Sequence, residues 1–384
     1  VMSLFINGFA FLLLIFYNVY SLRLSLKKIG LLFFKRGLVL LGLVHFSACF
    51  FFAFFLDRLD TIKDPHDFYE MAAEATNWFE IFGFGHNFIS FTVYPLVKLG
   101  FAIELLFFLF ATISFKGFLI LSELLQSVRL SSLNKFLFLF FLLPTIHIWT
   151  AMFGKEALLF FAGVLLLKKM GLKKYDSAFI ISLLLFFFIR PHAFFVLLFS
   201  VLFVIYLDST SLKKTKQIIF GVCVLSVFVF LPASLLFFLK IDQLDPNSII
   251  AFKEFLLDFG SKAGGSTPIS IHETTIFSRI GYLLLMPLPF IYELNSKVQY
   301  LAAFENIYYL TVFICVGINF IKHRFSYNNL SNDLKFALIS SLLMILLFAS
   351  YLYNLGLGNR MRIMFLPYLF YFLIKAIGFK SFKA

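Results

Sequence analysis

Apolar runs recur along the whole chain, near 2–20, 38–56, 101–121, 136–152, 154–167, 177–189, 193–207, 217–239, 299–321, 336–353 and 361–378. A membrane-crossing helix needs about 20 such residues, so the pattern predicts an all-α, polytopic integral membrane bundle of about eleven segments. Polar residues gather between the runs. No soluble domain, low-complexity tract or repeat interrupts the series, so residues 1–384 are expected to form a single transmembrane domain. The first run is followed by basic residues and carries no small-residue cleavage site, so it is read as a span. Two connections are long, 57–100 and 240–298.

Two stretches do not fit a simple span. Residues 136–167 are apolar except at Gly154-Lys155-Glu156. At ~1.5 Å per residue the stretch is about 48 Å long, too much for one crossing and short for two. Residues 177–207 behave the same way around Arg190-Pro191-His192. A single crossing in either place would send its flanking basic clusters to opposite compartments. Two tight helical hairpins are therefore expected, with bends at or just below one surface. Backbone that bends at membrane depth must be buried in protein or line a polar cavity.

Composition sharpens this picture. The chain is 61% hydrophobic and 14% charged, with mean hydropathy +0.95. A soluble domain is about half apolar and about a quarter charged, so this chain lacks the polar surface to cover itself in water. The 60 phenylalanines read as lipid-facing bulk. A net charge of +13 raises the question of nucleic acid. The basic residues, however, sit in short clusters between apolar runs, with no basic, aromatic-laced soluble module to carry a polynucleotide. Cys49, Cys223 and Cys315 lie within apolar runs without metal or redox spacing, and read as packing residues.

Lys and Arg are richer in cytoplasmic loops, and this sets the expected orientation. One set of loops holds Arg23, Lys27, Lys28, Lys35 and Arg36, then Arg129 and Lys135, then Lys168, Lys169, Lys173 and Lys174. It continues with Lys213, Lys214 and Lys216, then Lys322, Arg324 and Lys335, and the Lys-bearing C-terminus. Most acids fall on the other face. The clustered loops are thus expected in the cytoplasm of a bacterium, with the chain in its inner membrane and the two long connections outside.

Candidate chemistry lies on that outer face. Lys155 and Glu156 form either a local pair capping a hairpin, or a cation for an anionic group beside a carboxylate that positions or activates it. Pro191 ends the helix before it and pushes Arg190 into extended geometry. Arg190 then offers its fork of donors to phosphate or carboxylate, with His192 beside it, or else snorkels to headgroups. Asn359-Arg360-Met361-Arg362 supplies two more cations, Arg360 and Arg362, either binding or anchoring. In the first long loop Asp64 and Pro65 make a good helix start. Phe68, Met71, Ala72, Ala75, Phe79 and Phe82 then recur at helical spacing, which predicts an amphipathic helix on the membrane surface. Glu70 and Glu74 read as its solvated face. Asp57, Asp60, Asp64 and Asp67 are the better candidates for a catalytic carboxylate. Asp57, Asp60 and His66 match no standard metal cage, so no cofactor is expected, although a divalent ion stays open. In the second long loop, Gly281–Ile291 is too short to span and reads as a re-entrant or surface piece. Arg279, His272 and Glu273 are further candidates there. His45 reads as a packed intramembrane residue.

A cationic pocket at a membrane edge, with carboxylates nearby, suits a lipid diphosphate. The chemistry expected is glycosyl transfer from a polyprenyl-diphosphate carrier. Arg and Lys would stabilise the leaving diphosphate, and a carboxylate would take the acceptor's proton. The chain also carries a series of motifs in order. These are Asp57 and the segment DPHDFYEMA at 64–72, then HIWTAMFGKEALLFF at 147–161, RPH at 190–192, PLPFIYE at 287–293 and NRMR at 359–362. This series resembles Wzy- and EpsG-type bacterial polysaccharide polymerases. More loosely it is similar to GT-C membrane glycosyltransferases, through the early acids and the Tyr69-to-Ala73 spacing. The resemblance implies extracytoplasmic joining of undecaprenyl-diphosphate-linked glycans in O-antigen, capsule or exopolysaccharide assembly. It implies roles for Lys155, Arg190 and Arg360, and for an early-loop Asp if the GT-C likeness holds. Expected partners are the lipid-linked glycan, membrane lipids and other polysaccharide-assembly proteins. A transporter or flippase of the same glycan and a non-catalytic envelope-assembly protein are the competing readings. A transporter would show internal repeats and interrupted midplane spans.

Overall fold

A computed structural model describes residues 2–30, 32–55, 64–126, 132–208, 221, 269–270, 273–291, 293–294, 297–322 and 330–380. Among them the regular structure is helical and contains no β-strand. Among the described residues, six helical segments are long and apolar enough to cross a membrane: Phe5–Lys28, Phe33–Phe55, Ile103–Leu125, Leu133–Ala151, Gln299–Ile321 and Asn332–Ser350. By length and composition these are the helices of a membrane protein. The runs at 177–189 and 193–207 fall in shorter apolar helices. Apart from residue 221, the run at 217–239 lies outside the described residues. Helices are the natural outcome, because a chain in hydrocarbon must satisfy its own backbone hydrogen bonds.

Contacts divide the chain into two compact units, Val1–Arg190 with Leu373–Ala384, and Pro191–Phe372. The first holds α1 (Met2–Lys28), α2 (Leu32–Phe55), α3 (Asp64–Glu74), α4 (His86–Lys98), α5 (Ile103–Leu125), α6 (Ser132–Phe138), α7 (Pro144–Ala151), α8 (Lys155–Leu172) and α9 (Ser177–Ile189). Helix α5 is its spine. In the apolar window of α5, 83% of residues are buried, against 6% for α1. Helix α1 runs parallel to α5 and is held by polar contacts along its length. Asn7 donates to Gly100 O at 2.8 Å, Asn18 to Thr112 Oγ1 at 2.8 Å, and Ser25 to Glu123 at 2.9 Å. Helix α2 runs the other way, with Gly42 against Phe115 and Phe50 edge-on to Phe108 at 4.5 Å.

The stretch 136–167 reverses on itself, as its charged interruption suggests. Pro144 places Leu143 in extended backbone and opens α7. The ring of Phe118, midway along α5, meets His147 of α7 at 5.2 Å and Phe160 of α8 at 4.4 Å. Between them, Phe153 sits against Phe110, two turns nearer the start of α5, at 4.9 Å. The chain therefore descends along α5 and climbs back, turning at Met152-Phe153-Gly154. Helix α9 then returns beside α8, after a connection in which Lys169 pairs with Asp176. Asp176 also caps α9 by accepting from Phe179 N.

These directions sort the first unit's charges by end. Lys27, Lys28, Lys35, Arg36, Lys168, Lys169, Lys173 and Lys174 gather at the end where α1 and α8 finish and α2 begins. Lys155, Glu156 and Arg190 lie at the other end, with α3 and α4.

The apolar stripe of α3, expected to face a membrane surface, is covered at least in part by protein. Phe68, Ala72 and Ala75 are buried. Helix α4 packs alongside, and Lys98 of α4 donates to Ala73 O at 2.8 Å, so the stripe has a protein face to cover it. Phe79 and Phe82, counted in that stripe, fall beyond the helix end and are exposed.

The second unit holds α10 (Pro191–Leu207), α11 (Ile276–Leu285), α12 (Lys297–Lys322), α13 (Asn332–Ser350) and most of α14 (Leu355–Lys380). Helices α10 and α13 are antiparallel. His192 meets the hydroxyl of Tyr351 at 3.1 Å at one end, and Asn332 donates to Asp208 at 3.1 Å at the other. Helix α11 packs on α12 and α13. Buried Tyr371 of α14 donates to Asp333 of α13.

Two outcomes test this packing. A Cβ at Gly117 would stand 3.0 Å from Phe160 and 3.3 Å from the backbone of Phe161. Small residues allow such close helix approach in membranes. Gly117→Val is expected to destabilise the protein by about 1–3 kcal/mol, read as a lowered midpoint in detergent unfolding. At Asp176, the Lys169 ammonium holds the carboxyl below its usual range. That contribution is complete above the unfolded value of about 3.9 and is lost as pH falls through the lowered folded value. Asp176→Asn should lower the melting temperature at pH 7, and the difference from the parent protein should close in strong acid.

Candidate functional site

The bend before α8 creates the site. Met152 and Gly154 are extended, and Gly154 offers no side-chain cap to the helix that follows. The first turn of α8 therefore presents backbone N–H groups, which favour negative charge. Glu156 stands in that turn and is only 2% exposed. Its carboxylate faces Arg190 Nη2 at 3.4 Å. Arg190 follows α9, with φ −144° and ψ 75°, outside the helical region that a following proline disfavours. Its side chain is 17% exposed. Its Nε is buried and makes no hydrogen bond among the described residues.

Lys155 lies beside the pair, with Nζ 5.4 Å from the centroid of the Phe68 ring. Phe68 is fully buried, with His86 at 4.3 Å and Phe153 at 5.7 Å. Helix α3 thus supplies the ring that seats Lys155. Helix α4 is tied to α9 by a backbone bond from Gly85 N to Phe188 O at 2.7 Å. Gly85 has φ +64°, a conformation glycine adopts at little cost. That bond lies two residues before Arg190. Four separate chain segments therefore converge on Lys155, Glu156 and Arg190.

The remaining candidates fall elsewhere. Asp64 is half-buried and Asp67 exposed, both in the first turn of α3. Glu70 and Glu74 are exposed, as a solvated face should be. Asp57, Asp60 and His272 lie outside the described residues, and so does Cys223. His66 is half-buried. Among the described residues no group of three or more His, Cys, Asp or Glu side chains is arranged to hold a metal ion.

In the second unit, Arg362 is 3% exposed and engaged by protein. It donates from Nε to Leu283 O at 2.6 Å, from Nη1 to Asn306 Oδ1 at 2.6 Å and from Nη2 to Met286 O at 2.8 Å. Asn306 is fixed in turn by Pro287 O at 2.7 Å. Arg279 donates from Nε to Ala349 O at 2.7 Å and from Nη1 to Thr274 O at 3.0 Å. Both arginines hold the ends of helices: Arg362 ties the end of α11 to α12 and α14, and Arg279 ties α11 to α13. Arg360 is half-buried in α14, and His192 is held by Tyr351.

Three buried polar groupings have no signature in the sequence. His45 and His147 face each other through their Nδ1 atoms at 3.1 Å, and His45 Nε2 lies 3.0 Å from Ala111 O and from Ser114 Oγ. Asp333 pairs with Tyr371, and Asn306 with Arg362. Polar residues inside apolar runs were the available signal. Which of them meet is decided by packing between helices.

No family model, no curated protein and no solved structure matches this chain.

The Glu156–Arg190 pair yields a direct test. Removing one partner strands a buried charge, whereas removing both does not. A double-mutant cycle with Glu156→Gln and Arg190→Gln should show coupling of about 0.5–3 kcal/mol, with the double variant less destabilised than the sum of the singles.

Proposed function

We propose that this chain is a membrane-embedded glycosyltransferase of the polysaccharide-polymerase type. It joins polyprenyl-diphosphate-linked sugars or repeat units at the extracytoplasmic face of a bacterial inner membrane, in surface-polysaccharide assembly. The observation that carries this reading is the meeting of Lys155, Glu156 and Arg190 at one end of the first unit, opposite the end that gathers its lysine clusters. On this reading the lysine-rich end faces the cytoplasm and the Lys155–Arg190 end faces outside.

The geometry supports the following roles. Arg190 and Lys155 receive the diphosphate at the opening of α8, where cations and a helix N-terminus act together. The acceptor hydroxyl oxygen attacks the anomeric carbon of the donor. The bond from that carbon to the diphosphate oxygen breaks, and its electron pair leaves with the diphosphate. The two cations stabilise the charge that develops there. Glu156 is engaged by Arg190 and acts as a positioning residue for it. The proton goes to Asp64 or Asp67 of α3, the helix that also carries Phe68. Arg360 is assigned as a further cation for the carrier lipid from its NRMR motif alone.

The test uses Lys155→Ala, Arg190→Ala and Arg360→Ala in the source strain, with lipid-linked glycans resolved by size. Single repeat units should accumulate and long chains should fall by about a hundredfold, as when a charge-stabilising donor is removed. Unchanged ladders in folded, membrane-inserted variants would overturn the reading and leave an assembly role. Polymer of normal length that fails to reach the surface would point to a transporter.

A further inference from the structure

The connection between α3 and α4 carries an aromatic cluster that the proposed chemistry does not use. Trp78, Phe79 and Phe82 are 40%, 72% and 50% exposed. They are held rigidly. Asn77 and Glu80 form a reciprocal capping box around the 3-10 turn Trp78–Ile81. The Thr76 hydroxyl and the N–H groups of Asn77 and Thr76 bind the Glu80 carboxylate and keep it below its usual range. The Trp78 ring stacks on Phe91 at 5.1 Å and lies within 9° of the plane of Tyr94 at 6.4 Å. A turn fixed this firmly keeps its apolar side chains outward and does not fold them away.

The position of the turn identifies what covers it. Tyr69 donates to Phe101 O at 3.1 Å, and Lys98 to Ala73 O at 2.8 Å. Phe101 lies just before α5, so the α3–α4 segment sits level with the end of a membrane-length helix. The cluster continues through Phe82, Phe84 and Phe88 onto Phe188 of α9, with centroids 5.7, 5.7 and 4.9 Å away. Tryptophan and tyrosine concentrate at this level of a bilayer, where an apolar ring meets a wet headgroup layer. A sugar platform is the other use of exposed aromatic rings, but it needs polar groups for hydroxyls. Here the indole N–H is already given to Phe91 O at 2.7 Å, and the Tyr94 hydroxyl is given to Thr76 O at 3.3 Å.

We propose that the Trp78–Phe82 turn is an interfacial membrane anchor, seated among lipid headgroups, that fixes the depth of Arg190. The coupling is short. The turn's aromatic neighbours clamp Phe188, and Gly85 N bonds Phe188 O, two residues before Arg190. Arg190 is thereby held at the level of lipid phosphate. The anchor rests on the membrane reading and stands apart from glycosyl transfer, so either can fail alone.

The chain has two tryptophans, so Trp149→Phe leaves Trp78 as the single reporter. This full-length variant is reconstituted into phosphatidylcholine–phosphatidylglycerol vesicles whose acyl chains are brominated either near the headgroup or near the methyl end. Trp78 emission should be quenched at least about twofold more by the shallow bromines, as expected for a ring at headgroup level. Phe79→Ser, at the most exposed ring, should raise quenching by aqueous acrylamide without unfolding the protein. Full acrylamide quenching with no effect of either lipid would overturn the proposal. Stronger quenching by the deep bromines would also overturn it, as would an emission change produced only by soluble oligosaccharide.

Discussion

A carboxylate buried at the start of a helix has to be matched, and in this protein Arg190 matches Glu156. The requirement links two distant parts of the chain. Glu156 is buried because the bend at Phe153 turns inward against α5, and Arg190 reaches it because Pro191 stops α9 at the same level. A helix N-terminus tolerates the acid, while the partner cation removes the cost of an uncompensated charge. The Lys155 ammonium lies over the Phe68 ring, and the residue before α4 bonds the end of α9. Each of these features would lose its reason if the pair were absent.

Around this pair, packing is carried by aromatic rings and a few small residues. Phe118 of α5 serves two neighbours, one on each arm of the α7–α8 reversal. Gly117 beside it lets α8 approach within van der Waals distance. In hydrocarbon there is little solvent-driven force between helices, so close contact and interhelical hydrogen bonds hold the bundle. Helix α1 illustrates this: its exposed apolar faces contribute little, and Asn7, Asn18 and Ser25 tie it to α5. The second unit uses arginine in a comparable way, with Arg362 collecting the carbonyls left open where α11 ends.

The candidate site was partly legible in the chain. The charged interruption of 136–167 marked its bend, since a 48 Å apolar stretch must turn somewhere, at ~1.5 Å per residue, and Pro191 marked the break after α9. Pro191 fixed the conformation of Arg190 through local sterics alone. The stripe on α3 was legible as a stripe, but its burial was not, because periodicity gives the apolar face of a helix and not what covers it. Arg279 and Arg362 read as candidate ligand-binding cations, yet they are buried and bind the ends of helices.

By itself, the sequence determined that the chain is apolar, helical and suited to a membrane, that helices break at Gly154 and Arg190, and which ends carry the lysines. These follow from composition, period and proline sterics, all of which act between near neighbours. Only the tertiary structure decided that Glu156 meets Arg190, that Phe68 seats Lys155, that His45 meets His147, and that an aromatic turn is held outward beside Phe188. Those pairings join residues far apart in the chain, and they depend on the register of one helix against another, which is set by the fit of many side chains at once.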